Sequence, residues 1–209
     1  MTTLPLAYGR PTLADRLFTR SLATDIVLVV AGAGLTSILA QIAIPLWPVP
    51  VTGQTLAVLL VGSALGAVRG AVSLALYAVL GIVGLPVFSD GSSGFGVISG
   101  FTGGYIIGFI FSAALIGWIA QSEWDHKIWR AVLSALAGTV LTFVFGLVWL
   151  WAALGKAGYP NDLNTVLTGG LYPFILGGLV KAAIAGLIIG GSWWFIERND
   201  RQRAARTNA

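Results

Sequence analysis

One lysine lies inside an apolar stretch near the end of the chain, and it constrains the fold more than any other residue. The stretch runs from Leu171 to Ile196, reads LYPFILGGLVKAAIAGLIIGGSWWFI and is charged only at Lys181. It is about as long as a bilayer-spanning helix. If the helix begins at Pro173, Lys181 lies roughly 12 Å below that end, inside the hydrocarbon layer. A lysine there costs at least a few kcal/mol, so we expect it to face a cavity or the interior of a helix bundle.

The alternative is a lysine whose stem extends along the helix and places the ammonium at the membrane surface. Small neighbours favour the packed site, because they leave space beside the side chain. These neighbours are Gly177, Gly178, Ala182, Ala183 and Ala185.

Composition places the whole chain in a membrane. Of its 209 residues, 56% are hydrophobic and 10% are charged, which is too apolar for a soluble domain of this size. There is no cysteine, and the single histidine, His126, falls in a polar loop. Thiolate or histidine metal sites and Ser/His dyads inside the membrane are therefore excluded. The net charge of +4 forms no stripe that would bind nucleic acid.

Breaks in the apolar pattern predict an all-α protein with six transmembrane helices. Pro45, Pro48 and Pro50 separate the first two spans, because proline cannot continue a helix. A tight turn at Arg69 and Gly70 is expected to separate the second span from the third. The predicted spans lie near residues 25–45, 52–67, 71–85, 103–120, 131–153 and 171–196.

Charges outside the spans predict the orientation. With six spans both termini lie on one side, together with ten of the twelve Lys and Arg residues, while Lys156 alone falls on the other side. The positive-inside rule makes the basic side cytoplasmic. We therefore expect a multi-pass protein of a bacterial or archaeal cytoplasmic membrane, with a cytoplasmic N-terminal arm (1–24), a transmembrane substrate-binding domain (25–197) and a basic cytoplasmic tail (198–209).

The first predicted span carries a stripe of small residues. Such a stripe lets another helix approach closely. Docking of a partner subunit and packing within the chain both explain it. Independently of the stripe, a homo-oligomer of the whole chain is compatible with the sequence. The stripe consists of Gly32, Ala33, Thr36, Ser37 and Ala40.

Two stretches have the composition of a binding site at the outer membrane edge. Residues 45–56 join a proline-rich loop to Thr52, Gln54 and Thr55. Residues 84–105 combine glycines and polar side chains with Phe88, Phe95 and other apolar residues, and a merely solvated loop would have fewer aromatic residues. We interpret residues 84–105 as a lid or re-entrant cap on an outward-facing pocket, with a plain flexible loop as the alternative.

Four segments resemble the BioY family, the biotin-binding S components of energy-coupling-factor (ECF) transporters. They are PVPVTGQTLAVLLVGSALG at 48–66, LGIVGLPVFSDGSSG at 80–94, TGGYIIGF at 102–109 and PFILGGLVKA at 173–182. The similarity covers roughly residues 26–196 in the same order and spacing.

The resemblance implies an S-component fold and capture of biotin from outside, with no catalytic residue, metal or cofactor. It also implies assembly with a transmembrane T subunit and two cytoplasmic ATPase subunits. The substrate-binding positions that it carries over are Gln54, Phe88, Ser89, Asp90, Ser92, Ser93, Tyr105 and Lys181.

One departure concerns the lysine. The family motif usually reads Pro-Gly-Asp followed three residues later by Lys, whereas Leu176, Gly177 and Gly178 precede Lys181 here. Ser92 stands where an asparagine can occur, and Phe101 where proline is common. Without its acidic neighbour, Lys181 is expected either to pair with the ligand's carboxylate or to be uncharged when the site is empty.

Other functions lack the residues they need. A proton-coupled carrier needs intramembrane acids or histidines, an enzyme needs a nucleophile with a base, and ATP hydrolysis needs a phosphate-binding loop. The sequence leaves two alternatives open. One is a solitary or oligomeric biotin transporter that works without the ATPase subunits, and the other is an S component for another small vitamin.

Overall fold

The computed structural model describes residues 10–122 and 124–207 and is mostly helical. Two short strands, β1 (Ala43–Ile44) and β2 (Val51–Thr52), pair antiparallel around the Pro45–Pro50 segment. Single turns of 3₁₀ helix lie at Ser89–Gly91 and Trp124–His126. The α-helices are α1 (Leu13–Leu17), α2 (Leu22–Ala40), α3 (Gln54–Leu65), α4 (Ala67–Ile82), α5 (Phe95–Ser99), α6 (Gly103–Gln121), α7 (Ile128–Lys156), α8 (Leu163–Gly170) and α9 (Tyr172–Thr207).

Four segments of the described residues are long and apolar enough to cross a membrane. They are α2, α6, α7 and the segment Leu163–Gln202, which contains α8 and most of α9. The predicted second and third spans correspond to α3 and α4, which are apolar but have only 12 and 16 residues. The prediction of a helical membrane protein is therefore confirmed, while the count of six spans and the side on which the termini lie stay predictions.

Helix α6 lies at the centre of the bundle and packs against α3, α4 and α7. Close approach there depends on glycine. A Cβ atom on Gly117 would lie 2.2 Å from the carbonyl carbon of Gly66, so no side chain fits at this crossing. We call the end of the bundle that carries β1, β2 and residues 85–102 the pocket end, and the end that carries α1 and Arg69 the basic end.

The turn expected at Arg69 and Gly70 lies elsewhere. The chain turns at Gly66, which has a φ of 87° that favours glycine, and Arg69 lies inside α4. The prediction was wrong because an arginine between two apolar runs suggests a solvated turn, whereas this arginine is neutralised within the bundle. Its side chain is 1% exposed and forms ion pairs with Asp15, at 2.7 Å, and with Asp25.

These ion pairs fasten the N-terminal arm to the bundle. Thr12 and Asp15 cap α1 reciprocally, and Asp15 also accepts a hydrogen bond from Arg20 at 2.9 Å. Burial by itself would raise the pKa of Asp15, but the hydrogen bonds from Arg20, Thr12 and Arg69 and the charge of Arg69 lower the pKa to about 2. The cluster thus holds α1 against the basic end.

Helix α9 continues past the boundary predicted at residue 197 and ends at Thr207, so the predicted tail is largely helical. Residues 1–9 of the predicted arm, Glu123 of the charged loop and residues 208–209 of the tail lie outside the described residues. The division into arm, membrane domain and tail stays a prediction.

Candidate ligand pocket

A cavity opens at the pocket end between α3, α6, α7, α9 and the loop that precedes α5. The space between its lining atoms, including the open mouth, is about 520 Å³. Both polar side chains and aromatic rings line it, a combination typical of small-molecule sites. The lining residues used below are Thr52, Gln54, Thr55, Phe88, Ser89, Tyr105, Thr142, Phe143, Phe174 and Lys181.

Lys181 extends from α9 to this cavity. This agrees with the expectation that a lysine inside an apolar helix faces a cavity, because burying its charge in hydrocarbon costs free energy. Its ammonium donates to the carbonyl oxygen of Thr52 at 2.5 Å and to Thr55 Oγ1 at 3.0 Å. The ion pairs among the described residues include no carboxylate partner for Lys181. The lysine is thus solvated by neutral oxygens at the wall of a cavity, and the membrane-surface alternative does not describe it.

Gln54 lies at the start of α3 and is oriented by two neighbours. Thr52 Oγ1 donates to Gln54 Oε1 at 2.7 Å, and Gln54 Nε2 donates to the hydroxyl of Tyr77 at 2.5 Å. The hydroxyl belongs to a fully buried ring on α4. Because both ends of the amide are engaged, Gln54 presents a defined face to the cavity.

The predicted loop residues divide between the cavity and the surface. Phe88 is fully buried and packs edge-to-face on Tyr77 with ring centres 5.4 Å apart, while the adjacent Ser89 lines the cavity. Asp90 and Ser93 are exposed and do not line it. Ser92 donates from Oγ to the carbonyl of Ser89 at 2.7 Å, so its hydroxyl stabilises the loop itself.

The backbone explains this division. Asp90 has a φ of 54°, in the left-handed region, so the chain reverses there and turns the next side chains away from the cavity. Phe95, another aromatic residue of the 84–105 stretch, is 66% exposed and lies outside the lining.

Tyr105 lines the cavity with its ring and uses its hydroxyl for another purpose. The hydroxyl donates to the carbonyl of Gly170 at 2.8 Å, where α8 meets α9. The ring lies against Phe174 and Phe143, at centre distances of 6.3 and 6.1 Å. Phe143, Phe174 and Thr142 were not predicted, because within long apolar runs nothing distinguishes a cavity-facing residue from a packed one.

The small-residue stripe of α2 lies inside the chain rather than on its surface. Gly32, Ala33, Thr36 and Ala40 are buried. A Cβ on Gly32 would lie 2.6 Å from Ser73 Oγ of α4. Ser37 is half-buried and donates to the carbonyl of Ala33. Of the two explanations for the stripe, these contacts favour packing within the chain, and the assignment of the stripe as a partner contact stays a prediction.

No group of three or more His, Asp or Glu side chains within residues 10–122 and 124–207 could hold a metal ion. The pocket instead offers one cation, amide and hydroxyl groups, and aromatic walls. Such a set can bind a small, mostly apolar molecule that carries a carboxylate.

Comparison with known proteins agrees with this description. The family model described as "BioY family" matches residues 11–198. Biotin transporter BioY2 of Lactococcus lactis subsp. cremoris is 35% identical over 160 residues, which cover 77% of this chain and 85% of the relative. Biotin transporter BioY of Thermotoga maritima is 36% identical over 149 residues, which cover 71% and 83%.

A solved structure shares the fold. The crystal structure at 2.1 Å of the S-component for biotin from an ECF-type ABC transporter superposes with a TM-score of 0.70. It is 25% identical, and the match covers 80% of this chain and 89% of that one.

Proposed function

Because the chain belongs to the BioY family, we propose that it captures biotin as the substrate-specific subunit of an ECF-type transporter. It is a transport protein and not an enzyme, and biotin is its transported substrate. The observation that carries the proposal is the ammonium of Lys181, which lines the cavity without a carboxylate partner among the described residues.

The hydrogen bonds of Lys181 suggest how a ligand is held. An ammonium has three N–H donors. Thr52 and Thr55 take two of them, which leaves the third for the valerate carboxylate of biotin. A charge-assisted hydrogen bond is worth about 1.5–3 kcal/mol, so it supplies only part of a tight affinity. The rest would come from burial of the rings and chain of biotin against Tyr105 and Phe174.

Amide and hydroxyl groups of the cavity fit the polar ring of biotin. Gln54 and Ser89 are among the residues that line the cavity. The resemblance to the family also indicates Asp90, Ser92 and Ser93 of the same loop. We propose that they act by shaping the loop, because their side chains do not line the cavity.

The experiment that tests the function is a titration of the detergent-purified protein with biotin, followed by tryptophan fluorescence or heat, with biotin methyl ester as the control. Saturable binding that is weaker for the ester supports both the ligand and the lysine–carboxylate pair. Equal binding of both keeps biotin and moves Lys181 to the ring end of the ligand. No binding rejects biotin and favours another small vitamin, for which the glycine at position 178 is the reason to look.

Transport itself is proposed to need a transmembrane T subunit and two ATPase subunits. Co-purification of these subunits from the native membrane would support the proposal. Biotin uptake by a host that lacks them would favour a solitary or oligomeric transporter instead.

We further propose six spans in a cytoplasmic membrane with both termini inside. The chain has no cysteine, so single introduced cysteines report their side of the membrane without background. An impermeant maleimide should label Ser93→Cys in intact cells and Arg201→Cys only after permeabilisation. Labelling of both in intact cells would reject this topology.

A further inference from the structure

Gln41 lies at the C-terminal end of α2, outside the cavity, and contacts the loop that carries Phe88 and Ser89. Its Nε2 donates to the carbonyl of Phe88 at 3.1 Å and approaches that of Val87 at 3.5 Å. Its Oε1 accepts from the backbone N–H of Gly91 at 3.0 Å. One side-chain amide therefore holds both arms of the loop, 46 to 50 positions further along the chain.

The amide is itself held in place. Nε2 also donates to the carbonyl of Ser37 at 3.0 Å, one turn earlier in α2. Because this bond anchors the side chain to its own helix, the hydrogen bonds of Gln41 fix the position of the loop relative to α2.

The loop needs such external ties, because the backbone of Asp90 is strained. Asp90 has a φ of 54°, a region that a non-glycine residue rarely adopts. Bonds within the loop, from Phe88 N to Ser92 O and from Ser92 N to Ser89 O, close it on itself without fixing it to the bundle.

Two further contacts place the loop over the cavity. The ring of Phe88 fills the space above Gly81, where a Cβ would lie 2.0 Å from the ring. The N–H of Gly94 donates to the carbonyl of Gly81 at 2.7 Å. Ser89 lies between Phe88 and Gly91, the two loop residues that are hydrogen-bonded to Gln41, and it lines the cavity. The bonds of Gln41 therefore determine the position of this part of the cavity wall.

We infer that Gln41 is a positioning residue that keeps the 87–91 loop closed over bound ligand and thereby sets how fast the ligand leaves. The inference rests on the proposed function for the identity of the ligand. The hydrogen bonds of Gln41 to Phe88 and Gly91, which we call the clamp, do not depend on that identity.

Two variants separate the donor and acceptor roles of the amide, and a third serves as the control. Gln41→Met keeps the length of the side chain and removes donor and acceptor. Gln41→Glu keeps an acceptor for Gly91 and loses the donor to the carbonyls of Val87 and Phe88. Gln121→Met is the matched control, since Gln121 ends α6 at the basic end and accepts from the N–H of Ala67 at 3.3 Å, away from the loop.

The first measurement is amide hydrogen exchange of the ligand-free protein, read by mass spectrometry in peptides that cover residues 86–94. Gln41→Met should exchange at least about threefold faster there, because the hydrogen bonds that hold the loop against α2 are lost. Gln41→Glu should protect the loop to an intermediate degree, and Gln121→Met should match the wild type. Unchanged exchange in Gln41→Met overturns the clamp.

The second measurement is the dissociation rate of biotin from the preloaded protein. Gln41→Met should release it about three- to tenfold faster with an unchanged melting temperature, whereas a merely structural residue would lower the melting temperature and leave the rate for the folded fraction unchanged. Faster exchange with an unaltered dissociation rate overturns the positioning role. If the wild type binds no biotin, the proposed function fails, and the exchange measurement still decides the clamp.

Discussion

The ammonium of Lys181 donates to the backbone carbonyl of Thr52, a residue 129 positions earlier in the chain. Thr52 in turn donates through Oγ1 to Gln54, and Gln54 donates to Tyr77. One chain of hydrogen bonds thus joins α9, the start of α3 and α4 beneath the cavity. A ligand that meets Lys181 therefore meets a cation whose position several elements determine.

Replacing Lys181 tests the charge directly. Lys181→Ala should weaken biotin binding at least tenfold, because a charge-assisted hydrogen bond of about 1.5–3 kcal/mol is lost. Biotin methyl ester should bind the variant and the wild type with more similar affinities. The bundle should remain folded, because the two oxygens left by the ammonium keep access to the cavity. Titration of both ligands measures this, and an unaltered affinity for biotin would remove the lysine from the site.

Gly178→Asp restores the acidic residue that the family motif usually has. A Cβ at Gly178 would meet only Thr139 Cγ2, at an ordinary 3.5 Å, so the side chain has room. A carboxylate three residues before Lys181 on the same helix face would compete with the ligand for the ammonium. We expect the preference for biotin over its methyl ester to shrink by about three- to tenfold. A preference equal to that of the wild type would show that the two side chains do not meet.

Sequence reasoning located the main helices because long apolar runs have few alternatives, and it located Lys181 because a charge inside such a run needs a reason. It misplaced Arg69, whose partners Asp15 and Asp25 lie 54 and 44 positions away. The orientation of the Asp90 side chain could not be predicted from the sequence either, since it depends on a left-handed backbone conformation. Gln41 carries no motif at all, and only the loop folded against α2 reveals its partners.

Tyr105→Phe tests the link between α6 and the α8–α9 junction. The variant keeps the aromatic wall and removes the donor to the buried carbonyl of Gly170. Because α9 carries both Phe174 and Lys181, looser placement of its start should raise the Kd for biotin by about three- to tenfold. Tyr159→Phe is the control, as Tyr159 is an exposed tyrosine at the same end. An equal effect of both substitutions would contradict a specific role of the Gly170 bond.

Gly32→Ala tests whether the small stripe packs within the chain. The new methyl group would lie 2.6 Å from Ser73 Oγ, and overpacking of this kind costs about 1–3 kcal/mol. Melting temperature, biotin binding and uptake should therefore decline together. Gly34→Ala, on the same helix with no atom within 4 Å, should leave all three unchanged. Loss of uptake with intact stability and binding would restore the partner-docking explanation.

Asp15 should make the attachment of α1 sensitive to acid. Its pKa is about 2 in the folded protein, against 3.8 for an unperturbed aspartate, because the hydrogen bonds from Arg20, Thr12 and Arg69 outweigh its burial. Between these values the unfolded state binds more protons, so stability rises with pH there. The contribution of Asp15 is complete above about pH 4–5 and is lost as the pH falls toward 2.

The Asp15→Asn variant cannot lose a charge on acidification, so it separates this group from every other carboxylate. Between pH 6 and pH 3 the melting temperature of the wild type should fall further than that of Asp15→Asn, and Asp200→Asn, which changes an exposed aspartate, should follow the wild type. At pH 6 the wild type should have the higher melting temperature, because Asp15→Asn leaves Arg69 with one carboxylate partner fewer in a buried site. Parallel pH curves for wild type and Asp15→Asn would mean that Asp15 titrates alike in the folded and unfolded chains, and that Arg69 is held by Asp25 alone.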